Sequence, residues 1–178
     1  MKTKFTTHKK QLSALVCATL LGFPWGGANA ITAGVVGNNS EEGFTSASEN
    51  ISGNIGIYAV GTKASAIAEN ITISSDMYAA LYAYDGGVIN VGGDSTKSVI
   101  ITSTSDGINA VNHKGAAFVS VKASESVSIV SDTFALWAQN GTQSTQAPES
   151  HSSITVEAPT ISIEGKEEAI VALSLIHI

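Results

Sequence analysis

Short runs of alternating apolar and polar residues recur between residues 55 and 172, and each run predicts a β-strand. One run places an aliphatic residue two positions before an alanine. It occurs at Ile57 and Ala59, Leu81 and Ala83, Ile108 and Ala110, Leu136 and Ala138, and Ile170 and Ala172. Successive alanines are 24, 27, 28 and 34 residues apart. The chain therefore contains an internal repeat of a few tens of residues.

Two further alternating runs complete each repeat. The second contains Ile89 and Val91, Val119 and Val121, and Ile154 and Val156. The third aligns Ile71, Ile73 and Ser75 with Ile101, Ser103 and Ser105, with Val127, Ile129 and Ser131, and with Ile161, Ile163 and Gly165. Because alternate residues of a strand share a face, each set predicts a ladder of small side chains in one interior.

The constant three-strand order predicts an all-β fold, a right-handed parallel β-helix in which each repeat is one coil and covers its neighbour. A β-sandwich or barrel is the alternative, since both also consist of many short strands. The aromatic residues that alternate with the ladder positions are expected to point outward as candidate surface-contact residues. They are Tyr58, Tyr82, Tyr84 and Trp137. Packing beneath a loop or between coils is the other interpretation of these four rings.

Three stretches do not fit the repeat. Residues 31–54 are rich in Gly, Asn, Ser and Glu and are expected to be an irregular lead-in or cap before the repeats of 55–172. Residues 141–153 predict a projecting loop. Residues 173–178 match the translation of a transposon-end adapter used in sequencing libraries, so we expect them to be non-native; a native strand is the alternative.

Residues 1–30 have the order of a secretory signal peptide. Lysines come first, an apolar run of 12 residues from Leu12 to Phe23 follows, and Ala28 and Ala30 form an A-x-A cleavage site. Cleavage after Ala30 would remove the only cysteine, Cys17, and leave five lysines against 15 acidic residues, a formal charge of −10. The chain has no arginine. Nucleic acid is therefore excluded as an expected partner, because phosphates are bound chiefly by Lys and Arg.

No catalytic, cofactor or metal site is predicted. The serines of three Ser–Asp pairs have no histidine near them in sequence to act as a base. Their acids, Asp76, Asp106 and Asp132, are expected to be solvated corner residues, with a stacked carboxylate ladder as the alternative. The region after Ala30 also has no cysteine, and no two of its histidines stand at zinc-ligand spacing.

The leader ending in Ala28 and Ala30, the acidic cysteine-free remainder, and coils such as residues 80–91 resemble the passenger region of a bacterial autotransporter. The resemblance implies a Gram-negative surface protein that its own C-terminal β-barrel carries across the outer membrane, with the membrane reached only through that barrel. Such passengers are usually adhesins and sometimes enzymes, and for this segment we expect adhesion to a host or bacterial surface protein or glycan, or self-association, without catalysis. A secreted β-helical polysaccharide-degrading enzyme and a fibre or S-layer-like protein are the alternatives.

Overall fold

A computed structural model describes residues 32–40, 43–112, 115–140 and 151–174. These residues form strands and no helix. In chain order the strands are β1 (Ala33–Val36), β2 (Phe44–Ser46), β3 (Asn50–Gly53), β4 (Ile55–Val60), β5 (Lys63–Ala66), β6 (Asn70–Ser75), β7 (Leu81–Tyr84), β8 (Val88–Gly92), β9 (Ser98–Ser103), β10 (Ile108–Asn112), β11 (Phe118–Lys122), β12 (Ser126–Ser131), β13 (Phe134–Asn140), β14 (Ser153–Glu157), β15 (Thr160–Gly165) and β16 (Glu168–Ser174). The expected all-β class is confirmed.

From β4 onward, each strand pairs in parallel with the strand three positions earlier in the chain, and this pairing produces three sheets. Sheet A has the order β1-β4-β7-β10-β13-β16, sheet B the order β2-β5-β8-β11-β14, and sheet C the order β3-β6-β9-β12-β15. The chain thus visits A, B and C in turn before it returns to A one strand further along. This is the arrangement of a parallel β-helix, as the repeat predicted.

The interior consists of ladders of small apolar side chains. In sheet A, Ile57, Leu81 and Ile108 are register partners and have no exposed surface. In sheet B, Ile89 pairs with Val119, and both are buried. The predicted ladders of these two sheets are confirmed. They were predictable because an aliphatic residue is followed two positions later by alanine in sheet A and by valine in sheet B, and this order permits one alignment on the inward face.

The ladder of sheet C differs from the predicted alignment at one strand, β9. Ile101 pairs with Ile73 and Ile129, and Ser103 pairs with Ser75, so Ser105 lies beyond the strand. The predicted alignment was wrong for β9 by two residues, whereas the predicted alignment of β6, β12 and β15 is confirmed. A shift of two preserves the inward face, so alternation alone cannot detect it.

Serine residues occupy the last position of this ladder, inside the coil. The Ser75 and Ser103 Oγ atoms are 2.7 Å apart, and each hydroxyl also lies within hydrogen-bond distance of the Tyr78 carbonyl oxygen, at 2.7 and 2.9 Å. Ser131 follows in the same row and is fully buried. The interior therefore accommodates a hydroxyl in three successive coils; those of Ser75 and Ser103 are hydrogen-bonded, whereas the Ser131 hydroxyl has no hydrogen-bond partner among the described residues.

The first coil begins earlier than the repeat pattern indicated. Residues 31–54, expected to be irregular, contain β1, β2 and β3, which pair with β4, β5 and β6. These three strands have three or four residues each, and Val35 and Ile51 are the aliphatic side chains that they bury. One buried aliphatic residue in β1, one in β3 and none in β2 are too few to produce a visible alternation.

The last described coil leaves its ladder positions open. Ile161 is 44% exposed and Ile170 is 64% exposed, whereas Val127, the partner of Ile161, is 1% exposed. Strand β16 extends through Leu173 and Ser174, which pair with Gln139 and Asn140. Residues 1–31, 141–150 and 175–178, which include the predicted leader, most of the predicted loop and most of the adapter-like segment, lie outside the described residues.

Candidate functional site

The outer surface of sheet A gathers the aromatic residues singled out in the sequence. Tyr58, Tyr82, Asn109 and Trp137 form one continuous row across β4, β7, β10 and β13. Tyr84 lies in the adjacent row between Val60 and Val111. We call Tyr58, Tyr82, Tyr84, Asn109 and Trp137 the aromatic strip. All four aromatic side chains of the strip are half-buried.

The rings of the strip contact one another or a neighbouring ring. Tyr58 and Tyr82 stack with ring centroids 5.7 Å apart and an interplanar angle of 26°. Tyr84 is tilted by 40° against Tyr82, with centroids 6.0 Å apart. Trp137 meets Phe134 edge to face at 5.2 Å. Each ring of the strip is thus packed against at least one other aromatic ring.

Asn109 interrupts the aromatic row and is held by Asp106, three residues before it. The Asn109 Nδ2 group donates to Asp106 Oδ2 at 2.9 Å. The other carboxylate oxygen, Oδ1, accepts a hydrogen bond from the Thr133 hydroxyl and is 3.5 Å from the Phe134 backbone nitrogen. Asp106 therefore connects the turn before β10 to the start of β13 and fixes the amide plane of Asn109.

Two polar atoms of the strip are buried without a hydrogen-bond partner. Asn109 is 9% exposed, and its Oδ1 atom accepts no hydrogen bond. The Trp137 Nε1 group is also buried and donates none. Buried polar groups in proteins are nearly always bonded. Because Asn109 and Trp137 are register partners, an unused acceptor and an unused donor lie one strand apart on the same surface.

Burial sets the ionisation of the tyrosines. It raises the pKa of Tyr82 to about 12, with smaller contributions from Tyr58, Tyr84, Asp85 and Asp106. Burial is also the main cause that raises the pKa of Tyr58, followed by Tyr84. For Tyr84, burial and then the charge of Asp85 raise the pKa. The phenols are thus neutral hydrogen-bonding groups at physiological pH.

We expect the folded protein to lose stability as the pH rises from about 10 to about 12. In that window the unfolded chain has already released the Tyr82 proton, whereas the folded chain retains it, so deprotonation favours unfolding. The stabilising contribution is complete below pH 10 and disappears as the pH passes the folded pKa. Unfolding free energy measured at several pH values tests this expectation.

Tyr82→Phe is the matched variant, because it removes the phenol and keeps the ring. The unfolding free energy of the variant should decline less steeply in this pH window. Its tyrosinate absorbance should lack the component that titrates at the highest pH. If the decline is as steep as in the parent protein, Tyr82 is not responsible for it.

The stacked carboxylate ladder, which was the alternative for Asp76, Asp106 and Asp132, does not form in register. Asp76 and Asp132 follow equivalent serines, whereas Asp106 lies two residues further along its coil. Asp76 accepts a hydrogen bond from Asn54 at 3.1 Å, and Asp132 pairs with Lys166 at 2.7 Å. Across the part of the chain that the structure describes, no three His, Cys, Asp or Glu side chains are grouped to hold a metal ion.

The sequence drew attention to the tyrosines and Trp137. What it missed is the pairing of Asn109 with Asp106 and the unused Asn109 oxygen. The signal that could have revealed them is an amide in the middle of an aromatic row, preceded at three residues by an acid. The predicted cleavage residues Ala28 and Ala30 lie outside the described residues.

Comparison with known proteins identifies no relative: no family model, no curated protein and no solved structure matches the chain. Within residues 32–40, 43–112, 115–140 and 151–174, no helix is long and apolar enough to cross a membrane.

Proposed function

We propose that this chain is the N-terminal part of an autotransporter passenger, a right-handed β-helical stalk that is displayed on the surface of a Gram-negative bacterium. Its proposed role is adhesion to a surface protein or glycan, or self-association, without catalysis in this segment. The observation that carries the proposal is the stack of coils with the aromatic strip on one outer surface. A solenoid offers such an extended surface for contact.

Export is supported by the sequence of residues 1–30. The order of lysines, apolar residues and small residues ending in Ala28 and Ala30 matches a cleavable leader. A remainder without cysteine forms no disulfide in an oxidising compartment, and this fits passage through a barrel in an unfolded state. In the proposal, the barrel belongs to the full-length protein.

A display experiment tests the proposal. Residues 1–172 are joined to the translocator barrel of a known autotransporter and produced in a Gram-negative host. We expect the surface-exposed passenger to begin at Ile31 by mass spectrometry, because cleavage follows Ala30. We also expect the cells to settle faster, or to adhere more to a protein- or glycan-coated surface, than cells that display the barrel alone.

Ala30→Asp is the control for export, because a charged residue at the cleavage site should prevent processing and display. Surface display without gain in settling or adhesion would contradict the functional part of the proposal. Retention of the parent chain in the cytoplasm would contradict the export part.

A further inference from the structure

The three outer surfaces of the coil differ in chemistry. The central outward row of sheet B consists of small polar residues, Thr45, Ser65, Asn90, Ser120 and Thr155. A corresponding row of sheet C is similar except for one isoleucine, with Asn50, Thr72, Ile100, Ser128 and Ser162. Sheet A instead carries three of the four tyrosines of the chain, together with Trp137. Sheet B also has two exposed aromatic residues, Phe44 and Phe118, but they are not register partners, so the continuous aromatic row is a feature of sheet A.

The unused hydrogen-bonding atoms of the strip are complementary to a hydroxyl group. A hydroxyl can donate to Asn109 Oδ1 and accept from Trp137 Nε1. The Asn109 amide is already fixed by its bond to Asp106, so its oxygen is preoriented for one further bond. Sites that bind small ligands combine rings with a few placed polar groups in this way.

The charged residues near the aromatic strip restrict the chemical class of its ligand further. The four lysines in the described ranges lie elsewhere: Lys63 and Lys122 on strands of sheet B, and Lys97 and Lys166 in connections outside the strands. Lys97, Lys122 and Lys166 pair with Glu69, Asp94 and Asp132. The strip itself adjoins Asp106, so among the described residues an anionic ligand would meet an acid and no lysine.

We propose that the aromatic strip binds an uncharged saccharide chain. The rings of Tyr58, Tyr82 and Trp137 contact the apolar faces of sugar rings, and the amide of Asn109 and the indole N–H of Trp137 bond to sugar hydroxyls. Four successive strands span about 14 Å at the usual spacing of about 4.8 Å, which suits a short oligosaccharide. Because Asn109 Oδ1 and Trp137 Nε1 are buried, binding requires the atoms that cover them to move aside. The inference rests on the proposed function as an adhesin and specifies the ligand class.

Tryptophan fluorescence provides a direct test, because the chain has two tryptophans and Trp25→Phe leaves Trp137 as the sole reporter. The full chain with this substitution is titrated with cellohexaose, maltohexaose and mannohexaose, and with the anionic hexamer of galacturonate. We expect a saturable change with at least one uncharged hexasaccharide and none with the anionic one. A response to none of the uncharged probes, or only to galacturonate, overturns the inference.

Matched variants locate the binding surface. Asn109→Ala should weaken binding at least tenfold, whereas Asn90→Ala, which removes an exposed outward amide from sheet B, should leave it unchanged. Tyr84→Ser changes a second residue of the aromatic strip and leaves Asn109 in place. Circular dichroism verifies that each variant is folded. Equal effects of the Asn109 and Asn90 substitutions overturn the assignment to sheet A.

The fluorescence and display experiments separate the two proposals. Cells that adhere or settle while the purified chain binds no uncharged hexasaccharide contradict the ligand class and leave the adhesin function in place. Saccharide binding by a chain that confers neither adhesion nor settling contradicts the proposed function and leaves the site in place.

Discussion

Ile101→Ala will destabilise the protein by about 2–5 kcal/mol, the usual cost of removing a buried aliphatic side chain from a close-packed core. Ile101 has no exposed surface and pairs with Ile73 and Ile129, which are equally buried. Rigid coils on both sides prevent the interior from closing around the lost volume. Urea unfolding followed by circular dichroism measures the change.

Ile100 is the matched control, because it is the same residue type one position earlier on the same strand. Its side chain points outward and is 43% exposed, so Ile100→Ala should cost about 1 kcal/mol or less. Comparable losses from the two substitutions would contradict the assigned inward face of β9.

Gly92→Ala will destabilise the protein by at least about 2 kcal/mol, because two independent costs coincide at this position. Gly92 has a φ of +78°, in the left-handed region that side chains disfavour. A Cβ atom there would lie 2.0 Å from the carbonyl oxygen of Lys122 on the neighbouring coil. Neither backbone can withdraw without breaking the pairing of β8 with β11. The free energy of unfolding measures the loss.

Gly93 is the control for Gly92, since the two glycines are adjacent in sequence. A Cβ atom at Gly93 would meet no atom within 4 Å, and its φ lies outside the left-handed region. Gly93→Ala should therefore change stability little, or add up to about 1 kcal/mol by restricting the unfolded chain. A loss at Gly93 as large as that at Gly92 would show that the close contact between coils is not the cause.

The strands and two of the three ladders were predictable because their information is local. A narrow interior admits only small aliphatic residues at alternate positions, and pairs such as Leu81 and Ala83 meet that requirement within a single strand. The sheet C ladder was not predictable to the residue. A shift of two positions from Ser105 to Ser103 keeps the same face inward, and only the pairing with Ser75 and Ser131 selects one alignment.

The candidate site was predictable only in outline. Alternation placed Tyr58, Tyr82 and Trp137 on outward positions, and repeat alignment placed them in one row. It did not indicate that Asn109 would be 9% exposed or that Asp106 would bond to both Asn109 and Thr133. The bond between Thr133 and Asp106 joins residues of different coils, which no single segment encodes.

By itself, the sequence determined the repeat, the all-β class, the inward and outward faces of most strands, and the absence of arginine and of cysteine after residue 30. The tertiary structure decided the register of sheet C, the extension of the coil to β1, and the conversion of scattered aromatic residues into one surface. The physical reason is the range of the forces involved. Side-chain alternation is a property of each strand, whereas register, burial and unused hydrogen-bonding groups arise only when one coil packs on the next.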